Sequence, residues 1–447
     1  MKKLVSCLLC VAMLFSMLSL TGVAANEQSY KIVSPYEDVI WDGDGAWGAY
    51  KGSLHSHTTY SDASTDLPTM VKEYYEQDYD FLANADHGVT GVEWNREPTK
   101  LWLYSFGSNN QRCLTDEEFE AITNGTYPLY DGTIRNKKLV CVTGANELNN
   151  LTITKCHVNG YFLPEKVGDG YAGKENGYDE ALQFIEENGG ISHINHPGDW
   201  LNSNKDIKNV SDPENIKFFG DLILKYKSCY GMEVFNEDNG TTGYDRILWD
   251  NMLMYTLPYG KTVIGYSNTD AHDVRNVDSS FSVFMMEENN VENIRATMEN
   301  GAFFCVSRHL RANDIIGPDE EIDAMNKGFP YPIFTSVKVN DHTISVTAKD
   351  AQTVQWIANG KVIASGEIKD NEPVKINLDE IDGAEDFQYV RAEVFGEGGI
   401  CLTQALVIDD GGEVKKYEEP SGIGAWFEKL LFEIKSTRLW CLVEELF

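Results

Sequence analysis

The run Leu54-His55-Ser56-His57-Thr58-Thr59-Tyr60-Ser61-Asp62 places two imidazoles two residues apart and a carboxylate five residues further on. Side chains at i and i+2 of a strand point to the same face, so His55 and His57 can grip one cation together. Asp62 falls just past the expected strand end and can turn back toward the same point. A His-x-His pair also arises by chance, so its meaning depends on the rest of the chain.

From about Asp42 to Ser307 short apolar strands alternate with amphipathic helices. Asp66-Leu67-Pro68 opens a helix with a capping residue and an early proline, and Met70, Val71, Tyr74 and Tyr75 form its apolar stripe. Strands are expected at Phe81 to Ala83, Leu139 to Thr143, Val158 to Leu163, Ile191 to Ile194, Met232 to Phe235, Thr262 to Tyr266, Phe281 to Met286 and Phe303 to Val306. Helices are expected at Asp179 to Glu187, Tyr244 to about Tyr255 and Val291 to Glu299. This alternation argues for a parallel barrel or an open α/β sheet.

The histidines and carboxylates follow that grammar. Asp86-His87-Gly88 comes after the strand ending at Ala83, and Glu147 comes after the strand ending at Thr143 through Gly144-Ala145-Asn146. His157 starts the next strand. His193 and His196 lie in Ile191-Ser192-His193-Ile194-Asn195-His196-Pro197, and Asp270-Ala271-His272 follows the strand ending at Tyr266. Strand C-termini converge on one rim of a parallel barrel, which makes neighbours of residues far apart in sequence. One strand-end histidine is usually a hydrogen-bonded structural residue, and one Asp is usually a helix cap. An ordered series of such sites is not explained that way.

The ordered set His55-x-His57, Ser61-Asp62, Asp86-His87-Gly88, Glu147, His157, His196-Pro197 and Asp270-Ala271-His272 resembles the PHP (polymerase and histidinol phosphatase) family of metal-dependent hydrolases. It looks most like the secreted branch related to carbaryl-hydrolase-like proteins. The resemblance spans residues 45–310 and implies a distorted seven-stranded (β/α) TIM-like barrel with two or three divalent metals, zinc, manganese or iron. By that resemblance His55, His57, Glu147 and Asp270 hold one metal, and Glu147, His157 and His196 a second. Asp62, His87 and His272 hold a third. Asn-Ala before Asp86 and Asn195 before His196 depart from the common pattern outside these ligands. His193 is expected to be buried behind them.

The chemistry implied is hydrolysis by a metal-bound water held near Glu147, Asp270 and His196, because cations lower the pKa of bound water and neutralise developing charge. A small anionic substrate, foremost a phosphate ester, suits such a site. Arg275 and Arg308 are candidates for binding substrate oxygens, with surface salt bridging as the plain alternative. Residues 93–136, with Trp94, Arg96, Trp102, Tyr104, Phe106 and Arg112, read as a lid-like insertion over the rim. That aromatic content also keeps carbamate or aryl ester hydrolysis open. A non-catalytic surface binding protein is the alternative outside the enzyme class.

The ends of the chain carry other signals. Lys2 and Lys3, an apolar run to Leu20 and the small residues Val23-Ala24-Ala25 read as a signal peptide over 1–25, cleaved near Ala25. The protein is therefore expected to be secreted or at the cell surface, with 26–44 as a lead-in. The net charge of -33 disfavours nucleic acid and anionic membrane as partners. The cysteines beyond the leader, at 113, 141, 156, 229, 305, 401 and 441, show no paired spacing and read as buried small apolar side chains. Between 325 and 412 short alternating strands separated by turns such as Asn359-Gly360 predict a small all-β, Ig-like sandwich. From 421 to 447 apolar residues recur at helical spacing and predict an amphipathic helix docking on the protein or on a partner. Membrane attachment is the lesser reading, since that tail holds three basic and four acidic residues.

Overall fold

A computed structural model describes residues 30–102, 110–149, 156–170, 177–203, 206–236, 244–308 and 328–435. The expected leader, Tyr104 and Phe106 of the insertion, Cys441 and the tail beyond Lys435 lie outside the described residues. The first part of the chain contributes β1 (Lys31–Val33), β2 (Gly48–Ser53), β3 (Phe81–Leu82), β4 (Val140–Cys141), β5 (Asn146–Asn149), β6 (His157–Tyr161), β7 (Ile191–Ile194), β8 (Cys229–Asn236), β9 (Ile264–Asn268), β10 (Ser280–Met286) and β11 (Phe303–Ser307). The helices are α1 (Leu67–Glu76), α2 (Asp116–Thr123), α3 (Tyr178–Glu187), α4 (Pro197–Trp200), α5 (Pro213–Lys225), α6 (Asp245–Thr256), α7 (Val291–Asn300) and α8 (Ile423–Lys435).

Local chemistry explains where several of these begin. Asp66 caps α1 by accepting from Thr69 N at 2.9 Å, and Leu67, Met70, Val71, Tyr74 and Tyr75 then face the core. Thr115 and Glu118 form a reciprocal capping box at α2, within the insertion. Every residue of β10 is buried, which is why it reads as a near-continuous apolar run.

The ladders keep the α/β character of the expected distorted barrel, but among the described residues they do not close into one. Among the described residues they form a five-stranded sheet, β5-β6-β7-β8-β9, and a separate sheet through β11-β10-β2-β3-β4. The pairs β2/β3, β3/β4, β7/β8 and β8/β9 are parallel, whereas β5/β6, β6/β7, β10/β2 and β10/β11 are antiparallel. Two isolated bridges, His87 to Glu147 and Ser56 to Ala271, span the gaps between the sheets. The chain leaves the extended conformation just past two strands: Asp270, after β9, has φ +46°, and His196, after β7, has φ +20°. At Gly231 the strands β8 and β9 approach so closely that a Cβ would sit 1.7 Å from Ile264 O.

The later strands are β12 (Ile333–Asn340), β13 (Thr343–Lys349), β14 (Thr353–Ala358), β15 (Lys361–Glu367), β16 (Val374–Asn377), β17 (Tyr389–Gly396), β18 (Gly399–Leu402) and β19 (Leu406–Asp409). Only β12, β13 and β16 form a sheet of their own. β18 pairs with β11, with Cys305 opposite Leu402 and Ser307 opposite Ile400, so one sheet runs through both parts of the chain. β1 pairs with β19, bringing the lead-in back onto this region. A buried charge network reinforces the junction: Arg391 of β17 donates to both oxygens of Asp250 of α6 at 2.8 and 2.7 Å, and Arg246 of α6 reaches Glu393 at 3.2 Å.

Among the described cysteines, Cys156, Cys229, Cys305 and Cys401 are buried. Lys429 of α8 donates to Asp179 of α3 at 2.8 Å, while Ile423, Trp426, Phe427, Leu431 and Ile434 remain exposed. No helix among the described residues is long and apolar enough to cross a membrane.

Candidate metal centre

Just past the end of β2, His55 and His57 bring their Nε2 atoms within 3.1 Å of each other in full burial. Backbone bonds from His57 N to Ala271 O and from Asp270 N to His55 O, both 3.0 Å, lay this segment against the turn after β9. Asp270 Oδ1 consequently sits 3.2 Å from His55 Nε2 and 2.9 Å from His57 Nε2.

Glu147, carried by β5, lies in the middle of the imidazoles. Its Oε2 is 3.4 Å from His55 Nε2, 3.2 Å from His57 Nε2 and 2.9 Å from His87 Nδ1. Its Oε1 is 3.0 Å from His157 Nδ1 and 3.4 Å from His196 Nε2. On the open side, Asp62 reaches His87 Nε2 and His272 Nε2, each at 3.3 Å. All nine candidate ligands therefore stand in one cluster.

The cluster resolves into three groups with donor atoms within 4.8 Å of one another: His55, His57 and Asp270; His87, Glu147 and His157; and His57, Asp62, His87 and His272. His87 stands beside Glu147 together with His157, and His196 Nε2 also reaches Glu147 Oε1 at 3.4 Å. His196 Nε2 lies 3.8 Å from Asp270 Oδ2.

The residues fit divalent cations. Glu147 Oε2 and Asp270 Oδ1 are buried without a hydrogen-bond partner, although imidazole nitrogens surround each at close range. Atoms that converge on a point without aligning for hydrogen bonds are arranged as ligands, and histidine with carboxylate suits zinc, manganese or iron. Electrostatics agree. Burial opposes charge on Glu147, yet His87, His157 and His55 hold its carboxyl well below the usual range. Burial also opposes protonation of His87, but Glu147 and Asp62 push it up to about 10. His196 is likewise raised to about 9, against burial, by Glu147 and Asp270. His157 is lowered, burial outweighing Glu147. Buried carboxylates in this number require positive charge beside them, and protons on the imidazoles supply it when cations do not.

A surrounding layer orients the ligands. Glu233 of β8 accepts from His55 Nδ1 at 2.9 Å, from Asn268 Nδ2 at 2.9 Å, from Asn236 Nδ2 at 2.8 Å and from His196 N at 3.1 Å. Asn195 Nδ2 donates to Glu147 Oε1 at 2.7 Å. Asp86 accepts from Thr58 N, Thr58 Oγ1 and Ser61 Oγ at 2.7, 2.8 and 2.6 Å, fixing the loop before Asp62. His193 turns away from the cluster, 2.8 Å from Tyr161 Oη and stacked on Tyr266, and burial lowers it to about 4. Glu233 escaped the sequence reading because it lies inside an apolar strand. A lone carboxylate in a buried run is itself a signal, since it must find partners.

The two arginines are engaged elsewhere. Arg275 is exposed and pairs with Asp273 at 2.8 Å, and Arg308 is held by Asp278 at 2.6 Å and by Phe329 O at 3.0 Å. In the insertion, Trp94 is buried against Phe119, Trp102 is exposed, and Arg96 pairs with Glu93 and Glu165.

No protein-family model matches the chain, and no curated protein matches it. Among solved structures it is similar to a two-domain protein from Bacteroides vulgatus described as containing a predicted PHP-like metal-dependent phosphoesterase. That alignment covers 83% of this chain and 98% of the other, at 15% identity and a TM-score of 0.43. It is also similar to a lesion-specific endonuclease from Pyrococcus furiosus over 56% of each chain, at 14% identity and a TM-score of 0.33. The functional reading rests on the side-chain geometry described above.

Proposed function

We propose that this protein is a metal-dependent hydrolase of phosphate esters acting at a centre of two or three divalent cations. The observation that carries the reading is Glu147, a buried carboxylate with imidazole nitrogens of five histidines within 3.4 Å. His55, His57 and Asp270 would hold one cation, Glu147 with His157 and His196 a second, and Asp62 with His87 and His272 a third. When bound, such cations supply a nucleophilic water at neutral pH and neutralise charge on the attacked centre.

The chain's own residues prepare that site. Glu233 can only accept, so His55 Nδ1 carries the proton and Nε2 is left to bind. Asn195 and Asp86 fix Glu147 and the Asp62 loop in the same way. Burial of His55, His57, Glu147 and Asp270 closes one side to water, and Asp62 and His272 leave the other open to substrate. An anionic phosphoryl group suits the positive charge that the cations bring to this face.

We place the protein outside the cell, on the strength of the Lys2-Lys3 and Leu4 to Ala25 pattern, with a small-molecule substrate in preference to nucleic acid because of the net charge of -33. The narrower carbaryl-hydrolase-like assignment has no support in the described insertion, whose Trp94 is buried against Phe119 instead of lining the site. The test is purified protein of measured metal content assayed against phosphomonoester, phosphodiester and naphthyl carbamate substrates. Phosphoester hydrolysis lost in His55→Ala and Asp270→Asn is the expected result. Activity surviving in both would overturn the site, and activity on the carbamate alone would overturn the substrate class.

A further inference from the structure

Residues 110–113 of the insertion grip the loop that carries Asp62. Gln111 Nε2 donates to Thr59 O at 2.8 Å, and Thr59 Oγ1 donates to Asn110 O at 3.0 Å. At the far end of the loop, Asn110 Nδ2 and Arg112 Nε both donate to Asp66 Oδ2, at 2.6 and 2.8 Å. Between these anchors Tyr60 Oη lies 3.3 Å from Cys113 Sγ. Thr59 N in turn donates to Thr65 O at 3.0 Å, so the loop is closed at its base and Asp62 stands between the clamped ends.

Asp62 needs such support more than the other carboxylates of the cluster. Its side chain is 43% exposed, against 1% for Glu147 and 8% for Asp270. The loops after β3 and β9 hold the inner side of its loop through Asp86 and through Ser64 N to His272 O at 3.0 Å, and the insertion holds the outer side. A ligand fixed before its cation arrives loses less conformational freedom on binding, so the anchoring contacts raise affinity without touching the cation.

We infer that Asn110, Gln111 and Arg112 are positioning residues for the open cation position formed by Asp62, His87 and His272, so that the insertion sets how tightly that position holds a divalent cation. The inference rests on the metal-centre reading above. It makes cation loading at the substrate-facing position depend on the insertion, while the positions built on Glu147 and Asp270 are independent of it. Asp66 links the two structures directly, because its Oδ1 caps α1 while its Oδ2 takes both insertion donors.

The experiment uses the full chain loaded with manganese, with bound metal counted by mass spectrometry across a chelator series. Asn110→Ala/Gln111→Ala/Arg112→Ala is expected to release one cation equivalent at about tenfold lower chelator, with the other equivalents unmoved. Arg112→Lys, which can still donate to Asp66, is expected to retain that equivalent, and Asp62→Asn to lose it. Where the triple variant folds poorly, Gln111→Ala alone gives the same comparison with one contact removed. If Asp62→Asn loses an equivalent while the latch variants release metal as the unmodified protein does, the inference is overturned and the metal centre stands. If Asp62→Asn loses none, the open position and the inference fall together, and His55→Ala separately tests the buried positions.

Discussion

His55 Nδ1 lies 2.9 Å from Glu233 Oε1, and both side chains are completely buried. This carboxylate-to-histidine contact fixes the ring so that Nε2 faces Asp270 and Glu147. Glu233→Gln keeps the shape but removes the charge, and its amide would face His55, Asn268 and Asn236 as a competing donor. We expect metal affinity to fall about 10- to 100-fold, read as metal content at fixed free metal concentration. Unchanged content would show that Glu233 serves packing alone.

Removing metal is expected to destabilise the fold, because Glu147 and Asp270 then rely on protonated imidazoles for compensation. At free metal about 100-fold above its Kd, binding contributes about 2.7 kcal/mol. Chelator treatment should lower Tm, and added manganese or zinc should restore it. A Tm indifferent to both would contradict the metal centre.

Arg391 is the anchor between the later strands and α6. Arg391→Met leaves Asp250 and Glu393 buried beside a single remaining arginine, Arg246. The expected loss is about 3 to 5 kcal/mol in urea unfolding. A loss below about 1 kcal/mol would place the junction's stability in apolar packing instead.

Lys51 gives a pH signature separate from the metal site. It is buried beside Asp278, and burial lowers it from its usual value to about 8. Between about 8 and the usual lysine range the unfolded chain binds the proton and the folded one does not. Its contribution is therefore fully present above that range and is lost as pH falls through about 8. Near pH 9 the stability of the natural chain should rise with pH relative to Lys51→Met, by up to about 1.4 kcal/mol per unit. Parallel curves would refute the shift.

Much of the element order was legible because periodicity is local. The strand Ile191–Ile194 and the helices α3, α6 and α7 occur within a residue or two of their expected bounds. β5 is absent from the expected strands because Asn146-Glu147-Leu148-Asn149 is short and polar, with one apolar residue to mark it. Its pairing with β6 supplies what its composition lacks. Helix α5 was passed over although Asp212 and Pro213 signal its start.

Taken alone, the sequence determined that nine histidines and carboxylates recur at strand ends in an order that can meet on one rim. It could do so because strand ends and side-chain alternation depend on neighbouring residues. Tertiary structure alone decided that His87 stands beside Glu147 and His157, that Glu233 orients His55, and that bridges instead of continuous ladders join the sheets. Those outcomes depend on distances between residues tens to hundreds of positions apart, such as His55 and Glu233. No local pattern announces them, nor the positive φ that Asp270 and His196 adopt in the fold.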